Sequence, residues 1–442
     1  MHLIRQRVVR PLLVLHLAAA CAWPLRAQTA PGPSSSEYQR IARESLAARD
    51  FLRYRDAIRA LADLSPWSPR MVYLLARAEA LNGAGGAAIA GLRRLAAMGM
   101  TVDVESDSAF LPLRGDSAFV AVAARIAANR APMGTPQVVF TVAERDLLLE
   151  DVAYDSRSRS FFVSSLRKGK IVRIDAQGRA SDFARPEPDA RWSVMALAVD
   201  APHGVLWATV APGDVHEQYN AADTGRTALV QLSLADGSVR ARIEPPADGK
   251  LHFFGDMTVT AAGDVFVSDV RTAMVYRLPR GSSQLVAVLP EGTVRGPQNP
   301  AVSVDGRFLA VADYPRGIYV SPLDGGQGWW LEHADTVAVV GIDGLNASGN
   351  TLIAVQNGTA PTRVIRLDLD PAWRRVMSWS VLAANDSSMG EPTHGVLVGE
   401  DFYFIADSQA DRFRTASRER SAADALAGLR PSTILRVRVP RR

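Results

Sequence analysis

The stretch Gly341-Ile342-Asp343-Gly344-Leu345, followed by residues 351–357 (TLIAVQN) and 363–369 (RVIRLDL), shows the repeating unit from which most of this chain is built. It places an acidic residue in a turn, then two apolar strands, and then a strand that alternates apolar and charged residues. Short apolar runs bounded by turn residues are typical of a small antiparallel sheet. The unit therefore predicts such a sheet, with a carboxylate at the start of its first strand.

Approximate copies of this unit predict a six-bladed β-propeller over residues 136–440. Six units spaced by roughly 40 to 60 residues are what a propeller requires, because each small sheet needs neighbours on both faces. Residues 138–142 form a lone strand that we expect to complete the last blade and close the ring. A β-sandwich of similar strand number is the alternative, but it gives no reason for a polar turn before the first strand of every unit.

Residues 37–131 have a helical period and predict antiparallel helical hairpins separated by turns such as Leu64-Ser65-Pro66. Residues 73–99, with small side chains where neighbouring helices would meet, resemble a tetratricopeptide helix pair. The resemblance implies a module that docks a protein partner by surface shape. A helical cap packed on the next domain, with no ligand, is the competing interpretation. Residues 28–36, rich in Pro and Ser, are interpreted as a linker.

The N-terminal residues 1–27 are interpreted as a secretory signal, because a basic segment precedes a short apolar run and small residues follow. Cleavage after Ala27 is the preferred interpretation. The alternative is a weak lipoprotein signal in which Cys21 is lipidated. In both cases we expect an exported protein, periplasmic or secreted, with no transmembrane segment in its mature form.

The charge and the cysteine content of the chain bear on nucleic-acid binding, disulfide bonds and thiolate zinc sites. The whole chain carries a formal charge of +4, and residues 1–27 contain four arginines and no acid. The mature chain is therefore near neutral, and nucleic-acid binding is not expected. Cys21 is the only cysteine, so a disulfide within the chain and a thiolate zinc site are both excluded.

Polar residues just before the first strand of each blade are expected to converge on the mouth of the central channel. They are Glu150, Ser193, Gly255 with Asp256, Asn299, Asp343, and Thr393 with His394. Carboxylate and amide oxygens favour Ca²⁺ or Mg²⁺ over softer metals, and Ca²⁺ is the preferred cofactor. A Zn²⁺ or Mn²⁺ site that uses His394 is the alternative.

At these positions the sequence resembles the senescence-marker-protein, gluconolactonase and strictosidine-synthase-like family of six-bladed propellers, over residues 137–440. Glu150, Asn299 and the pair Asp343-Gly344 match positions that hold a divalent cation in family members with lactonase activity. The resemblance implies that Asp343 also acts as the base. Gly255 departs from the family pattern, because the family usually has Asn at this point, and Asp256 would substitute only if the strand were shifted by one residue.

We therefore predict Glu150, Asn299, Asp343 and Asp256 as metal ligands, Asp343 and Glu150 as catalytic residues, and His394 as a substrate-binding residue. The competing interpretation of each acidic residue is a turn former. Repetition at the ends of second strands favours a turn role for Asp269, Asp313, Asn357 and Asp407. Trp329-Trp330 is interpreted either as a clamp for a flat ligand or, preferably, as packing between blades.

Two hypotheses of function remain. The first is a cation-dependent hydrolase that acts on a lactone or similar small ester in the channel. The second is a non-catalytic binding or scaffold protein that engages a partner through its helices and propeller faces.

Overall fold

A computed structural model describes residues 34–187 and 191–440. The predicted secretory signal and Cys21 lie outside the described residues. None of the helices within the described ranges is long and apolar enough to cross a membrane.

The N-terminal part is an array of consecutive antiparallel helices, as the helical period predicts. Its α-helices are α1 (Ser35–Ala47), α2 (Phe51–Leu64), α3 (Pro69–Leu81), α4 (Gly85–Ala97) and α5 (Ser117–Ala128), with a 3₁₀ turn at Ser108–Leu113. Side chains of Ser34, Asp50 and Asp116 accept backbone N–H groups at the starts of α1, α2 and α5. The first helix begins at Ser35, slightly earlier than the expected Glu37.

Small residues let the third and fourth helices approach closely. A side chain on Gly91 would place its Cβ 2.9 Å from the Cβ of Ala76, a distance that real Cβ atoms essentially never show. Ala88, Leu92 and Leu95 are fully buried in the same cluster. The small residues in residues 73–99 therefore pack helix against helix.

The rest of the chain is a six-bladed β-propeller of four-stranded antiparallel sheets. Blade one has β2 (Leu149–Asp155), β3 (Ser160–Ser165), β4 (Ile171–Ile174) and β5 (Ala180–Ala184). Blade two has β6 (Ser193–Asp200), β7 (Val205–Ala211), β8 (Ala228–Ser233) and β9 (Val239–Ile243). Blade three has β10 (Phe254–Val259), β11 (Val265–Asp269), β12 (Met274–Leu278) and β13 (Val286–Leu289).

The remaining blades follow the same order. Blade four has β14 (Pro297–Val302), β15 (Phe308–Asp313), β16 (Gly317–Pro322) and β17 (Trp329–Trp330). Blade five has β18 (Ile342–Ser348), β19 (Thr351–Gln356), β20 (Arg363–Leu369) and β21 (Val376–Ala384). Blade six has β22 (Gly395–Val398), β23 (Asp401–Ile405) and β24 (Ser432–Arg438) and is completed by β1 (Gln137–Val142).

The ring closes as the sequence predicts, because β1 pairs antiparallel with β24. Val142 is 3% exposed and packs with Ile434 in the core between blades six and one. Each buried Val, Ile or Phe of this kind contributes about 1.5–3 kcal/mol relative to an exposed side chain. The two ends of the propeller are thus joined by both hydrogen bonds and apolar packing.

The innermost strand of each blade begins on one face of the propeller, which we call the entrance face. Two accessory elements lie on this face, a helical insertion in blade six and the N-terminal helical array. Residues 412–429 are basic and rich in Ala, and this sequence predicts a helical insertion in blade six. Helices α6 (Ala410–Glu419) and α7 (Ala422–Ala427) interrupt the blade at this place, and Phe413 of α6 packs with Leu148 and Val215.

The helical array contacts the entrance end of blade five through polar bonds. Thr101 donates its backbone N–H to the carbonyl of Ala360 at 2.7 Å, and Arg363 donates to the carbonyl of Met98 at 2.8 Å. Asn385 donates its side-chain amide to the carbonyl of Asn129 at 2.9 Å. The array therefore stands on the same face as the start of the channel.

Candidate metal centre at the channel entrance

A β-bulge recurs at the start of the innermost strand in blades one to five. In blade five, for example, the register advances from Ile342 to Leu345 on β18 while it advances from Gln356 to Ala354 on β19. The corresponding extra residue occurs in the other four blades. A bulge of this kind re-aims side chains and is common beside functional sites.

Each bulge contributes two consecutive residues, and the register makes them equivalent between blades. The pairs are Glu150-Asp151, Met195-Ala196, Gly255-Asp256, Gln298-Asn299 and Asp343-Gly344. Glu150 and Asp343 thus share the first bulge position with Gly255. Asp256 and Asn299 share the second position with Asp151, which the sequence analysis did not select although it follows Glu150 directly.

Glu150, Asp343 and His394 converge on one point. Each offers a ligand atom, and these atoms all lie within 4.8 Å of one another. Asp256 joins the group from the opposite side, because its Oδ1 lies 3.1 Å from His394 Nε2. The strand of blade three is not shifted relative to blades one and five, because Gly255 stands in register with Glu150 and Asp343; Asp256 contacts His394 from the second bulge position instead. We call these four side chains the entrance cluster.

His394 is held in one orientation by the backbone of blade one. Its Nδ1–H donates to the carbonyl oxygen of Glu150 at 3.2 Å, and the hydroxyl of Thr393 donates to the same oxygen at 2.6 Å. A carbonyl only accepts, so Nδ1 carries the proton and Nε2 faces the cluster. This is the arrangement in which a metal-binding histidine is fixed by a bond from its other nitrogen.

Two polar atoms of the cluster are buried without a hydrogen bond. They are His394 Nε2 and Asp256 Oδ2, in residues that are 2% and 5% exposed. Nε2 is near Asp256 Oδ1 but is not aligned for a hydrogen bond. Buried polar atoms are usually paired, so the chemistry of these two atoms is compatible with a bound ion or water.

Two acidic side chains of the cluster, Glu150 and Asp343, resist ionisation. Burial, together with the charge of Asp343, raises the pKa of Glu150 well above its ordinary value. Burial, together with Asp256, raises the pKa of Asp343 to about 6. For His394, burial lowers the pKa, but the charges of Asp256 and Asp343 outweigh it and the net shift is upward. The cluster therefore favours added positive charge, either a proton or a cation.

Asn299 and Asp151 connect neighbouring blades. The amide oxygen of Asn299 accepts the N–H of Leu345 at 3.1 Å, and its Nδ2 donates to the carbonyl of Met257 at 3.2 Å. Asp151 accepts the N–H of Leu197 at 2.7 Å, which is the equivalent bond between blades one and two. Both ends of the Asn299 side chain are thus engaged between blades.

The turn role expected at the ends of second strands is observed at Asp269, Asp313 and Asp407. Their carboxylates accept backbone N–H groups of Phe253, Arg295 and Glu391, respectively, each at 3.0 Å. Asn357 differs from these three, because its Nδ2 donates to Asp343 Oδ2 at 2.6 Å. The repeated sequence pattern, in which all four residues are expected at the ends of second strands, does not reveal this difference.

Other contacts surround the cluster on the entrance face. Ser408, just before α6, lies 3.4 Å from Glu150 Oε2 through its hydroxyl. Tyr314 donates to Asn357 Oδ1 at 3.0 Å, and its pKa is raised to about 12 by burial and by the charge of Asp343. Sequence alone gave no signal for either residue, since neither belongs to the repeated position.

The central channel below the cluster contains a cavity of about 270 Å³. Its lining includes His394, Asn299 and Asp151, followed by residues further along the innermost strands. His394 therefore belongs both to the entrance cluster and to the lining of the channel cavity.

Trp329 and Trp330 have different environments. Trp329 donates its indole N–H to the carbonyl of Trp373 at 2.9 Å, and its ring packs against Phe308. Trp330 is 37% exposed and lies under the guanidinium of Arg316. The preferred packing role thus fits Trp329.

Neither a protein-family model nor a curated protein matches this sequence. Solved structures share the propeller fold. A gluconolactonase from Xanthomonas campestris aligns with a TM-score of 0.48 at 16% identity, over 71% of this chain and 93% of its own. Regucalcin from Agrobacterium tumefaciens, a calcium-binding protein, aligns with a TM-score of 0.46 at 14% identity, over 69% and 96%.

A luciferin-regenerating enzyme aligns with a TM-score of 0.47 at 12% identity, over 70% of this chain and 95% of its own. At these identities the likeness concerns the fold alone. The activities of these proteins are therefore not assigned to this chain, whose proposed function rests on its own side chains.

Proposed function

We propose that this protein binds a divalent cation at the entrance of its channel through Glu150, Asp343 and His394. The observation that carries the proposal is the convergence of their three ligand atoms within 4.8 Å. The burial of His394 Nε2 3.1 Å from Asp256 Oδ1 supports it, because a dication would offset the crowded negative charge of these carboxylates. Asp256 completes the set from the opposite side.

The donor set favours a cation that accepts nitrogen as well as oxygen. An imidazole suits Zn²⁺ and other transition metals, whereas carboxylates alone suit Ca²⁺, Mg²⁺ and Mn²⁺. Because Asn299 is engaged between blades and His394 takes part, we propose Mn²⁺ or Zn²⁺ in preference to the Ca²⁺ expected from sequence. The size of the set, with three or four protein ligands, leaves positions for water and substrate.

We propose further that a small ligand occupies the channel cavity beside His394. At about 270 Å³ the cavity is at the lower limit for small-molecule sites, which typically span about 300–1,000 Å³. Two of its polar residues, Asp151 and Asn299, are already engaged by backbone groups and provide a rigid wall. A compact lactone or ester is the proposed class of ligand.

Hydrolysis of such a ligand is the proposed reaction. A bound dication would polarise the carbonyl and lower the pKa of a bound water. Asp343, fixed by Asn357, is proposed as the base that accepts the proton of the attacking water. Glu150 holds the cation and orients the reacting groups, and its contact with Ser408 fixes its carboxylate.

Calorimetric titration of Ca²⁺, Mn²⁺ and Zn²⁺ into metal-stripped protein tests the binding step. We expect the wild type to bind Mn²⁺ or Zn²⁺ and Asp343→Ala to bind at least tenfold more weakly. Asp236→Ala, which changes an acid in a surface turn, is the matched control and is expected to bind as the wild type does. Equal binding by wild type and Asp343→Ala contradicts the proposal, and absence of binding leaves the non-catalytic hypothesis.

Export through residues 1–27 is also proposed, on the sequence pattern alone. The N-terminal sequence of protein recovered from a bacterial periplasm tests it. We expect Gln28 as the first residue, and a lipidated Cys21 would support the alternative instead. An intact Met1 on protein retained in the cytoplasm contradicts export.

A further inference from the structure

We infer that Asn357 and Tyr314 are positioning residues for the Asp343 carboxylate, an inference that rests on the proposed cation site. Asn357 donates its Nδ2–H to Asp343 Oδ2 at 2.6 Å. Tyr314 in turn donates its hydroxyl proton to Asn357 Oδ1 at 3.0 Å. The three side chains form one continuous chain from the protein surface to the cluster.

The chemistry of the groups fixes the direction of both bonds. A carboxylate near neutral pH only accepts, so the amide must present its nitrogen to Asp343 and its oxygen to Tyr314. The acceptor for the Tyr314 hydroxyl is then the amide oxygen of Asn357. The bond to Oδ2 fixes the plane of the Asp343 carboxylate relative to Glu150 and His394, with which it shares the cluster.

The strand register explains why the side chain of Asn357 can bond to Asp343. In blades three and four, Asp269 and Asp313 pair with the first residue of the innermost strand and hold the preceding turn. In blade five that position is Gln356, whose Nε2 donates to the carbonyls of Ala338 and Val340. Asn357 comes one residue later, so its side chain turns toward the cluster instead.

Two glycines make room for the chain of bonds. The Tyr314 hydroxyl lies against Gly358, where an added Cβ would be 2.5 Å from it. Gly341 has φ +64° and donates its N–H to the carbonyl of Tyr314 at 2.8 Å. Any side chain on Gly358 would therefore displace the Tyr314 hydroxyl.

A purely structural role is the competing explanation, because the same bonds link blade four to blade five. The two explanations differ in what they predict for cation affinity. Loss of an outer partner of a metal ligand typically lowers affinity about 10–100-fold. Loss of a link between blades lowers the melting temperature but leaves affinity unchanged once the protein is folded.

The test is calorimetric titration of Mn²⁺ into wild type, Asn357→Ala and Tyr314→Phe, with the melting temperature of each metal-free protein measured in parallel. We expect about a 10–100-fold rise in Kd for Asn357→Ala. Tyr314→Phe keeps the ring and removes only the hydroxyl, and we expect a smaller rise in Kd, by a factor of about three to ten. Asn385→Ala is the matched control, because Asn385 also belongs to blade five but its side chain bonds to the carbonyls of Asn129 and Ala131, which follow α5.

Each outcome supports or overturns the inference. Wild-type Kd values in both folded variants, whatever their melting temperatures, overturn it while leaving the cation site intact. An equal rise in Asn385→Ala also overturns it, because the effect would then be one of stability. Failure of the wild type to bind Mn²⁺, Zn²⁺ or Ca²⁺ overturns the proposed function itself, and the inference with it.

Discussion

His394 is the residue on which the proposed site depends most. Its Nδ1 is held by the Glu150 carbonyl, and its Nε2 is buried among carboxylates without a hydrogen bond. From sequence, His394 is predicted as a substrate-binding residue, with a role as a Zn²⁺ or Mn²⁺ ligand as the alternative. Nothing in a single Thr-His pair shows that the nitrogen faces three acidic side chains from other blades.

Replacing His394 by Ala is expected to lower the affinity for Zn²⁺ more than that for Ca²⁺. The imidazole nitrogen favours Zn²⁺, whereas the carboxylates that remain are the ligands preferred by Ca²⁺. We expect at least a 100-fold loss for Zn²⁺ by competition with a chromogenic chelator. The control is His203→Ala, because His203 is paired with Asp200 away from the cluster. Equal losses for both cations would contradict a nitrogen ligand.

The stability of the cation-free protein is expected to fall as the pH rises from about 4.5 to 7. Asp343 has a folded-state pKa of about 6 against an ordinary value of 3.8. The contribution of Asp343 to the free energy of unfolding is therefore fully present below pH 3.8 and is lost as the pH rises through 6. The shift corresponds to about 3 kcal/mol. Asp151 behaves in the same direction, because burial raises its pKa to about 6.

Urea unfolding at several pH values in the presence of a chelator measures this effect. Asp343→Asn, which cannot ionise, should show a smaller fall in the free energy of unfolding between pH 4.5 and 7 than the wild type. The same pH dependence of the free energy of unfolding in the two proteins would show that ionisation of Asp343 does not destabilise the folded state.

At the scale of elements, the insertion of α6 and α7 is held on the entrance face by Phe413. This side chain is 6% exposed and packs with Leu148 and Val215, and Arg167 lies over its ring at 5.0 Å. Ser408 connects the same element to Glu150. The insertion is therefore part of the wall around the cluster.

Phe413→Ala is expected to destabilise this element by about 3 kcal/mol, the lower end of values for removal of a buried Phe. Hydrogen exchange should rise in α6 and α7 more than in the propeller strands. Leu111→Ala, at a site that is 52% exposed, is the control and should leave exchange unchanged. Unchanged protection of α6 in Phe413→Ala would contradict this packing.

Sequence predicted the elements well and the cluster only in part. The period of apolar residues and the repeated turns predicted the blades, the closing strand and the helical insertion, because each depends on local pattern. Glu150 and Asp343 could be selected for the same reason. Asp151, Tyr314 and the role of Asn357 could not, because they depend on bulges and on contacts between blades that no local pattern records.

At the scale of the whole molecule, closure of the ring depends on β1. Val142 lies in the core between blades six and one, whereas Val138 on the same strand is 53% exposed. Val142→Asp would bury an unpaired charge and is expected to cost several kcal/mol of unfolding free energy. Val138→Asp is the matched control and is expected to change stability by about 0.5 kcal/mol or less. Equal stability of the two variants in urea unfolding would contradict closure through β1.

The helical array contacts blade five on the entrance face, and the insertion contacts the cluster through Ser408. The propeller supplies a rigid ring in which side chains from blades one, three, five and six meet at one point. A divalent cation at that point is the central claim.

A crystal structure of the protein soaked with Mn²⁺, with anomalous difference density calculated, tests that claim most directly. We predict one strong peak in contact with Glu150, Asp343 and His394, at ligand distances of about 2.0–2.2 Å. A map with no peak between these three side chains, from crystals soaked near neutral pH, would contradict it.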